Sequence, residues 1–346
     1  MTILVVFIAI AVAFDFMNGF NDSANIVSTM ISSRALSPRK ALWLTAACEL
    51  CGPFLFGVAV ATTIGSGVLI LPTAPSEALP LILAALVAAV CWNVFTWWLG
   101  IPSSSSHALI GGLLGSALAD SLLRHLTSGL DTMNDLADVV SVVRVAGLLK
   151  ILVSLLAAPL LGFAVGYALL KLTRFVCRGA TPGINRFFKS GQVVTAMCLA
   201  LAHGGNDAQK TMGIMTMGLL AAGQISEFKV PFWVVALSAA TIATGTATGG
   251  WRLIRTIGGK FYKIRPVHGF NAQIGSAAVI FGAALVGGPV STSHVVSSTI
   301  MGIGSAERIS KVRWGVGKRI VATWIITIPA AATVAALVFC VTRKLF

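Results

Sequence analysis

Two short motifs each place an asparagine directly before an aspartate, within stretches that are otherwise apolar: Asn21-Asp22 and Asn206-Asp207. A carboxylate, together with amide and backbone carbonyl oxygens, forms a hard-oxygen cage for a small cation such as Na⁺, and nearby glycines let a helix unwind to expose those carbonyls. A protonatable carboxylate would serve H⁺ coupling equally well. The motifs therefore predict a cation or proton site. The competing interpretation is polar packing, in which Asn and Asp hydrogen-bond across helices.

Two serine-rich motifs follow prolines, Pro102 to His107 and Pro289 to His294. Proline followed by Ser or Thr is typical of a helix start, where free N–H groups and the positive end of the helix dipole favour an oxyanion. Two such starts from opposite faces would hold one tetrahedral anion without an arginine, and so could also release it. Alternatively, the hydroxyls only cap and pack the helices. His107 and His294 either donate to the anion or are satisfied interior histidines.

Other ionisable residues also fall within apolar stretches, where a charge costs about 2.5–3.5 kcal/mol even on a lenient scale. Glu49 is a candidate gate or cation ligand. Lys210 stands where the first motif has Asn25, so it either neutralises Asp207 or meets the anion. Asp15 and His203 complete this group of functional candidates.

The elements that position these residues are membrane-spanning helices. The chain has 346 residues, is 56% hydrophobic and only 10% charged, whereas a soluble domain has about 25% charged residues. Segments of about 20 apolar residues can span a membrane. We therefore predict an all-α integral membrane protein with about ten spans: 2–31, 41–70, 79–99, 103–119, 139–170, 191–222, 231–250, 267–287, 290–304 and 319–342. The fourth and ninth are short and proline-led, which is typical of broken or re-entrant helices.

The distribution of basic residues gives an orientation. With the N- and C-termini outside, the internal loops hold most of the 25 basic residues, as the positive-inside rule requires. This also accounts for the net charge of +14 without a nucleic-acid partner. The sequence predicts a multi-pass protein of the cell (inner) membrane, with no cleaved signal peptide because no basic region precedes the first apolar stretch.

The motifs repeat in the same order in two halves. The residues from Gly19 to Asn25 match those from Gly204 to Lys210, and the two serine-rich motifs match at nearly the same offset. Since each half would hold five spans, the second must enter the membrane from the opposite side. This predicts two inverted-topology repeats, 1–178 and 191–346, joined by a basic cytoplasmic linker at 179–190, with a shared site near the midplane.

Enzyme chemistry is disfavoured. Neighbours such as Ser106 and His107 point about 100° apart on a helix, so they do not face each other as nucleophile and base. Cys48 and Cys51 form a C-x-x-C without the second ligand pair of a zinc site. No enzyme activity and no cofactor are therefore expected.

The motifs resemble those of the inorganic phosphate transporter (PiT) family, bacterial low-affinity type, over essentially the whole chain. The first resembling segment is Asp15-Phe16-Met17-Asn18-Gly19-Phe20-Asn21-Asp22-Ser23-Ala24-Asn25. The second is His203-Gly204-Gly205-Asn206-Asp207-Ala208-Gln209-Lys210-Thr211-Met212-Gly213. The resemblance implies symport of phosphate, in some bacterial members as a metal–phosphate complex, with Na⁺ or H⁺. It also implies a homodimer in the membrane and a PhoU-like regulatory partner.

Transferred by position, the resemblance implies residue roles. Asp22, Asn25 and Asp207 would bind or couple the cation, with Asp22 and Asp207 ligating Na⁺ if sodium is used, and Glu49 matches a functionally important acidic position. The expected phosphate-binding residues are Ser104, Ser105, Ser106, Ser291, Thr292 and Ser293. One position departs from the family pattern: Gln273 stands where some members have Glu, which leaves the number and type of coupling ions open. The alternatives are a carrier of another tetrahedral oxyanion, such as sulfate or arsenate, and a passive anion channel or receptor-like module.

Overall fold

The computed structural model describes residues 2–72, 74–127, 140–255 and 264–343, and these form a bundle of helices. The predicted all-α class is confirmed. The helices are α1 (Thr2–Ser32), α2 (Pro38–Leu55), α3 (Ala59–Gly67), α4 (Pro75–Leu99), α5 (Ser105–Thr127), α6 (Val145–Val176), α7 (Ile184–Ala221), α8 (Phe232–Thr248), α9 (Trp251–Arg255), α10 (Pro266–Leu285), α11 (Thr292–Arg308) and α12 (Trp314–Thr342).

Every predicted span overlaps one helix or one bent pair of helices, but the number that cross the membrane stays a prediction. Within the described residues, five helices are long and apolar enough to cross a membrane singly, and the bent pair α2–α3 brings the number to at most six. Helix α8 is apolar but shorter.

Helices α7 and α11 fall outside that group, and both lie inside the protein. Every residue of α7 from Ala202 to Leu219 is buried, and so is the α11 segment from Thr292 to Gly304. Surrounding helices, rather than lipid, contact these segments, so they can hold polar side chains without facing hydrocarbon. Helices α6 and α12 are the opposite case, with only 22% of their most apolar windows buried.

The helix break lies in the second predicted span and not in the fourth or ninth, where broken or re-entrant helices were expected. The second span, 41–70, was predicted to be continuous, but it bends by 72° between α2 and α3. Gly57, with φ +69° in the left-handed region that glycine tolerates, lies in the connection. The fourth span was predicted to stop at residue 119, whereas α5 continues to Thr127 and has 23 residues.

Glycines let the helices of the first and second halves cross at backbone contact. A methyl group at Gly19 of α1 would lie 2.1 Å from the carbonyl oxygen of Ile242 in α8. At Gly204 of α7, it would lie 2.5 Å from the carbonyl oxygen of Glu49 in α2. Thus α1 packs on α8 as α7 packs on α2, and Gly19 and Gly204 are equivalent positions of the two motifs. In the same way, α5 packs on α12 and α11 packs on α6.

Two equivalent turns aim the serine-rich motifs at each other. Gly100 ends α4 with φ +68°, and Gly287 follows α10 with φ +67°. Both positive φ values favour glycine. Each turn is followed two residues later by a proline, and α5 and α11 then begin at Ser105 and Thr292. The helix starts predicted from the sequence are therefore present.

Candidate functional site

The two Asn-Asp motifs lie in the middle of α1 and α7, and their aspartates meet at one hydroxyl group. Thr292 Oγ1 lies 3.0 Å from Asp22 Oδ2 and 3.4 Å from Asp207 Oδ2. Both carboxylates are buried, with Asp22 5% and Asp207 0% exposed. Because Thr292 is the first residue of α11, the start of that helix reaches the centre of the carboxylate pair.

Each aspartate also has a partner one helical turn further along its own helix. Asn25 donates from Nδ2 to Asp22 Oδ1 at 2.7 Å. Lys210 forms an ion pair with Asp207, with its Nζ 2.8 Å from Oδ1. Of the two roles considered for Lys210, neutralisation of Asp207 is the one that the geometry supports.

Side chains from each half also reach the aspartate of the other half. Asn18 donates from Nδ2 to Asp207 Oδ2 at 3.2 Å. Its equivalent in the second motif, His203, has Nε2 3.6 Å from Asp22 Oδ2 and 3.6 Å from Asp207 Oδ2. The two motifs therefore form one interlocked group rather than two separate sites.

Glu49 joins this group through His203. The imidazole Nδ1 of His203 lies 2.7 Å from Glu49 Oε1, the distance of an ion pair if the ring is protonated. Thr246 donates to the other oxygen of Glu49 and orients the carboxylate. Glu49 thus contacts the aspartate pair indirectly, so its predicted place beside the site is supported by geometry.

Three amide oxygens of the motifs are buried without a hydrogen bond. Among the described residues, the Oδ1 atoms of Asn21, Asn25 and Asn206 are buried and have no donor. A buried unsatisfied polar atom costs about 1–3 kcal/mol, so such a group needs a reason. Oxygen atoms that accept nothing from the protein are suitable ligands for a hard cation.

The six serine and threonine side chains divide into three symmetric pairs. Ser104 and Ser291 cap α5 and α11, accepting from the N–H groups of His107 at 3.1 Å and His294 at 3.4 Å. The second pair, Ser105 and Thr292, faces the motifs: Ser105 donates to Asn18 Oδ1 at 2.7 Å, and Thr292 donates to the aspartates.

The third pair, Ser106 and Ser293, forms hydrogen bonds between the two serine-rich motifs. Ser106 donates to the carbonyl oxygen of Val290 at 3.1 Å, and Ser293 donates to that of Ser103 at 2.8 Å. The rings of His107 and His294 follow, with centroids 4.6 Å apart. The hydroxyls therefore do the capping and packing considered as the alternative role, while the two helix starts still face each other.

A small cavity lies beside the first motif. It is lined by Asn21, Asp22, Asn25, Pro102, Ser103, Leu253 and Ser293, and its volume is about 10 Å³, enough for about one water molecule. The first Asn-Asp motif and both serine-rich motifs therefore border the same space. An anion as large as phosphate needs a wider opening, which requires movement of these helices.

Not every predicted residue belongs to the cluster. Gln273 accepts from Thr195 at 2.7 Å and donates to Thr29 at 2.9 Å. Asn21 and Asn206 direct their amide N–H groups to the backbone carbonyls of Asn93 and Gly288. These amides position the chain, and only their oxygens remain for a cation.

The sequence reasoning named His203 as a functional candidate without giving it a role in the site, and it gave Asn18 no role. Both appeared in the motifs, but a histidine or asparagine among apolar residues gives no sign of which carboxylate it will reach. Alignment of the two motifs pairs Asn18 with His203, and this pairing was the available signal. Within the described residues, Asp22, His203 and Asp207 form a group whose ligand atoms all lie within 4.8 Å of one another.

Comparison with known proteins shows which family the chain resembles. The profile of the "Phosphate transporter family" matches residues 18–181 and again residues 178–335. A protein of Bacillus subtilis named "Probable low-affinity inorganic phosphate transporter" is 40% identical over 100% of this chain and 98% of its own length. A protein of Rhizobium meliloti with the same name is 42% identical over 97% of this chain and 96% of its own length.

The chain belongs to the phosphate transporter family. The predicted resemblance is confirmed, and so is the expectation of a transporter rather than an enzyme, because the matched proteins are named transporters. A solved structure titled "The sodium-dependent phosphate transporter" shares the fold, with a TM-score of 0.87 over 100% of both chains and 23% identity. This family member therefore has the architecture of a solved transporter from end to end.

Proposed function

We propose that the protein is a symporter that moves inorganic phosphate across the cell membrane together with Na⁺ or H⁺, by alternating access. The observation that carries the proposal is the meeting of Asp22 and Asp207 at the Thr292 hydroxyl, in motifs that also hold buried amide oxygens without a hydrogen bond among the described residues. A passive channel has no need of buried paired carboxylates, whereas a coupled carrier uses them to bind its driving ion. The family assignment and the names of the relatives support phosphate as the substrate.

The phosphate site is proposed at the facing starts of α5 and α11. Ser105 and Thr292 lie at these starts and are buried; Thr292 donates to the aspartates, and Ser105 donates to Asn18, which in turn donates to Asp207. Helix N-termini favour an oxyanion. A cation bound at Asp22 would reduce the repulsion between the carboxylates and phosphate, and this provides a physical basis for coupling the two ligands.

Alternating access is proposed to use two inverted repeats, 1–178 and 191–346. Three sets of equivalent contacts support this arrangement: the glycine crossings at Gly19 and Gly204, the turns at Gly100 and Gly287, and the reciprocal serine bonds between the motifs. Equivalent halves can exchange conformations, so that the site opens first to one side and then to the other.

Assembly and regulation are part of the same proposal. A homodimer is expected from the family resemblance, and exposed apolar side chains of α6, such as Leu149, Val153 and Leu160, can contact lipid or a second protomer. A PhoU-like protein is proposed as a cytoplasmic regulator. The oligomeric state is measurable by light scattering of the detergent-solubilised protein.

Uptake of radiolabelled phosphate into proteoliposomes tests the function. Na⁺ and H⁺ gradients are imposed separately, and Asp22→Asn protein serves as the matched control for leakage. We expect uptake by the wild type that one of the gradients drives, with competition by arsenate and not by sulfate. Sulfate competition would indicate a different oxyanion, and gradient-independent flux equal in both proteins would indicate a channel.

A further inference from the structure

The two halves of the site differ at one chemically important position. Asn25 and Lys210 occupy equivalent places, each three residues after its aspartate. Each places a nitrogen against the Oδ1 atom of that aspartate, the amide of Asn25 at 2.7 Å and the ammonium of Lys210 at 2.8 Å. The backbone positions and the contacted oxygen are the same, but the charge is not.

This difference changes what each aspartate can still bind. Asn25 uses its Nδ2 on Asp22 and leaves its Oδ1 buried without a donor among the described residues. That oxygen can ligate a cation beside the Asp22 carboxylate. Lysine has three donors and no acceptor, so the second half offers no corresponding oxygen and already has a positive charge beside Asp207.

The burial of Lys210 indicates a specific role for its charge. Its side chain is 0% exposed and ranks among the largest fully buried side chains of the described residues. Lysine is almost never fully buried without a partner. Beyond the contact with Asp207, its Nζ has no hydrogen-bond partner in the part of the chain that the structure describes. The ammonium is therefore held inside the protein essentially by one carboxylate.

We propose that Lys210 is a tethered cation, whose ammonium takes the place at Asp207 that a transported cation would otherwise occupy. The transporter then binds its free coupling cation in the Asp22 half alone, although both halves retain the Asn-Asp motif. This inference rests on the proposed cation-coupled function and specifies which residue limits the number of coupling ions.

The alternative is that the remaining N–H groups of Lys210 bind the transported phosphate. The two roles predict different results when the charge is removed. A tethered cation, once removed, leaves a vacant cation site at Asp207 that a suitable neutral ligand can complete. A phosphate ligand, once removed, weakens phosphate binding whatever neutral side chain replaces it.

The test is the number of ²²Na⁺ ions bound at equilibrium by purified transporter in detergent, which needs no transport. Lys210→Asn gives the second half the same residue as the first, and Lys210→Gln provides an amide oxygen on a longer side chain in case the first variant does not fold. Lys210→Met is the matched control, because it is unbranched and neutral but has no oxygen ligand. Phosphate binding is measured on the same samples.

We expect Lys210→Asn or Lys210→Gln to bind one more Na⁺ per chain than the wild type, and Lys210→Met to bind the same number as the wild type. An unchanged Na⁺ count in folded amide variants would overturn the proposal. So would a rise of ten-fold or more in the phosphate Kd of all variants with no change in the Na⁺ count. Failure of the wild type to transport phosphate in proteoliposomes would instead contradict the proposed function. The number of Na⁺ ions bound in detergent is a separate measurement, which that failure would not change.

Discussion

Thr292 donates one hydroxyl group to two buried carboxylates at 3.0 and 3.4 Å. A hydroxyl has one proton, so it can satisfy only one of these carboxylates at a time. The other must find its charge compensation elsewhere: Asp207 has Lys210, while Asp22 has the Asn25 amide and the more distant His203 imidazole. At the scale of single residues, Asp22 is therefore the carboxylate that is less completely neutralised by the protein.

Replacing Asp22 tests its role in coupling. Asp22→Asn is expected to lower gradient-driven phosphate uptake about 100-fold, because losing a charged ligand is worth up to about 3 kcal/mol. Helical content and elution on size exclusion should stay as in the wild type. Normal coupled uptake by this variant would show that Asp22 does not bind the driving ion.

Replacing Asp207 should affect stability more than the same change at Asp22. Asp207→Asn leaves the buried ammonium of Lys210 without its carboxylate, and breaking a buried ion pair in this way costs about 3–5 kcal/mol. We expect a lower melting temperature for Asp207→Asn, and recovery of most of it in Asp207→Asn/Lys210→Met, which removes both charges. Equal melting temperatures of Asp207→Asn and Asp22→Asn would mean that the ion pair does not stabilise the fold.

The hydroxyl of Thr292 can be tested separately from its methyl group. Thr292→Val keeps the shape and removes the donor, whereas Thr292→Ser keeps the donor. If Thr292 holds the carboxylates and faces phosphate, Thr292→Val should raise the apparent KM for phosphate about ten-fold, the effect of about 1.4 kcal/mol. Thr292→Ser should remain near the wild-type value. The same KM in all three proteins would remove this hydroxyl from the proposed site.

At the scale of helices, the site depends on how closely four helices cross. Gly19 and Gly204 allow α1 to touch α8 and α7 to touch α2 through backbone atoms. The second of these crossings lies beside Glu49. Because the aspartates lie only three residues beyond these glycines, a small separation of the helices would move the carboxylates apart.

Gly204→Ala tests this crossing, since the added methyl group would meet the Glu49 carbonyl oxygen at 2.5 Å. Overpacking of this kind costs about 1–3 kcal/mol, so the melting temperature and uptake should both fall. Gly282→Ala in α10 is the matched control, because nothing lies within 4 Å of the added methyl group. Replacing glycine by alanine in an open helix position gains about 0.5–1 kcal/mol. A similar fall in melting temperature and uptake in both variants would mean that any glycine-to-alanine change in these helices is harmful, and that the Gly204 crossing is not special.

The sequence predicted the helices better than their breaks. Apolar length and proline positions located a helix or bent pair in every predicted span, since both follow from local chemistry. The 72° bend at Gly57 was missed because a single glycine in an apolar stretch is compatible with a continuous helix as well as with a break. The sequence identified the ionisable residues of α7 between His203 and Lys210 as functional candidates, but the burial of that whole segment inside the bundle is seen only in the structure.

In the site, too, the sequence predicted what depends on residue type and not what depends on how the helices pack. Motif composition identified Asp22, Asp207 and the helix starts, since these depend on residue type. The contacts of His203 with both aspartates and with Glu49 depend on the crossing of α2 with α7. Helix crossings are long-range features that one sequence does not specify.

At the scale of the whole molecule, α5 and α11, the helices that begin at the serine-rich motifs, each carry a carboxylate at an equivalent position in their C-terminal half. Asp120 in α5 pairs with Arg124 at 2.8 Å, and Arg124 also contacts Glu77 at 2.9 Å. Glu307 in α11 contacts Arg174 at 3.2 Å and His268 at 3.2 Å. If the halves are inverted repeats, these two ionic groups lie near opposite membrane surfaces, where charged side chains can reach water.

The inverted arrangement predicts that the end of α1 and the start of α7 lie on the same side of the membrane. Single cysteines at the exposed positions Arg39, Arg186 and Lys229, introduced into a chain without its native cysteines, report the side of each loop. A membrane-impermeant maleimide should label Lys229→Cys in intact cells, and Arg39→Cys and Arg186→Cys only after permeabilisation, since basic loops remain inside. Labelling of Arg39→Cys and Arg186→Cys from opposite sides would contradict the inverted repeats, whereas reversal of all three patterns would keep the repeats and overturn only the orientation.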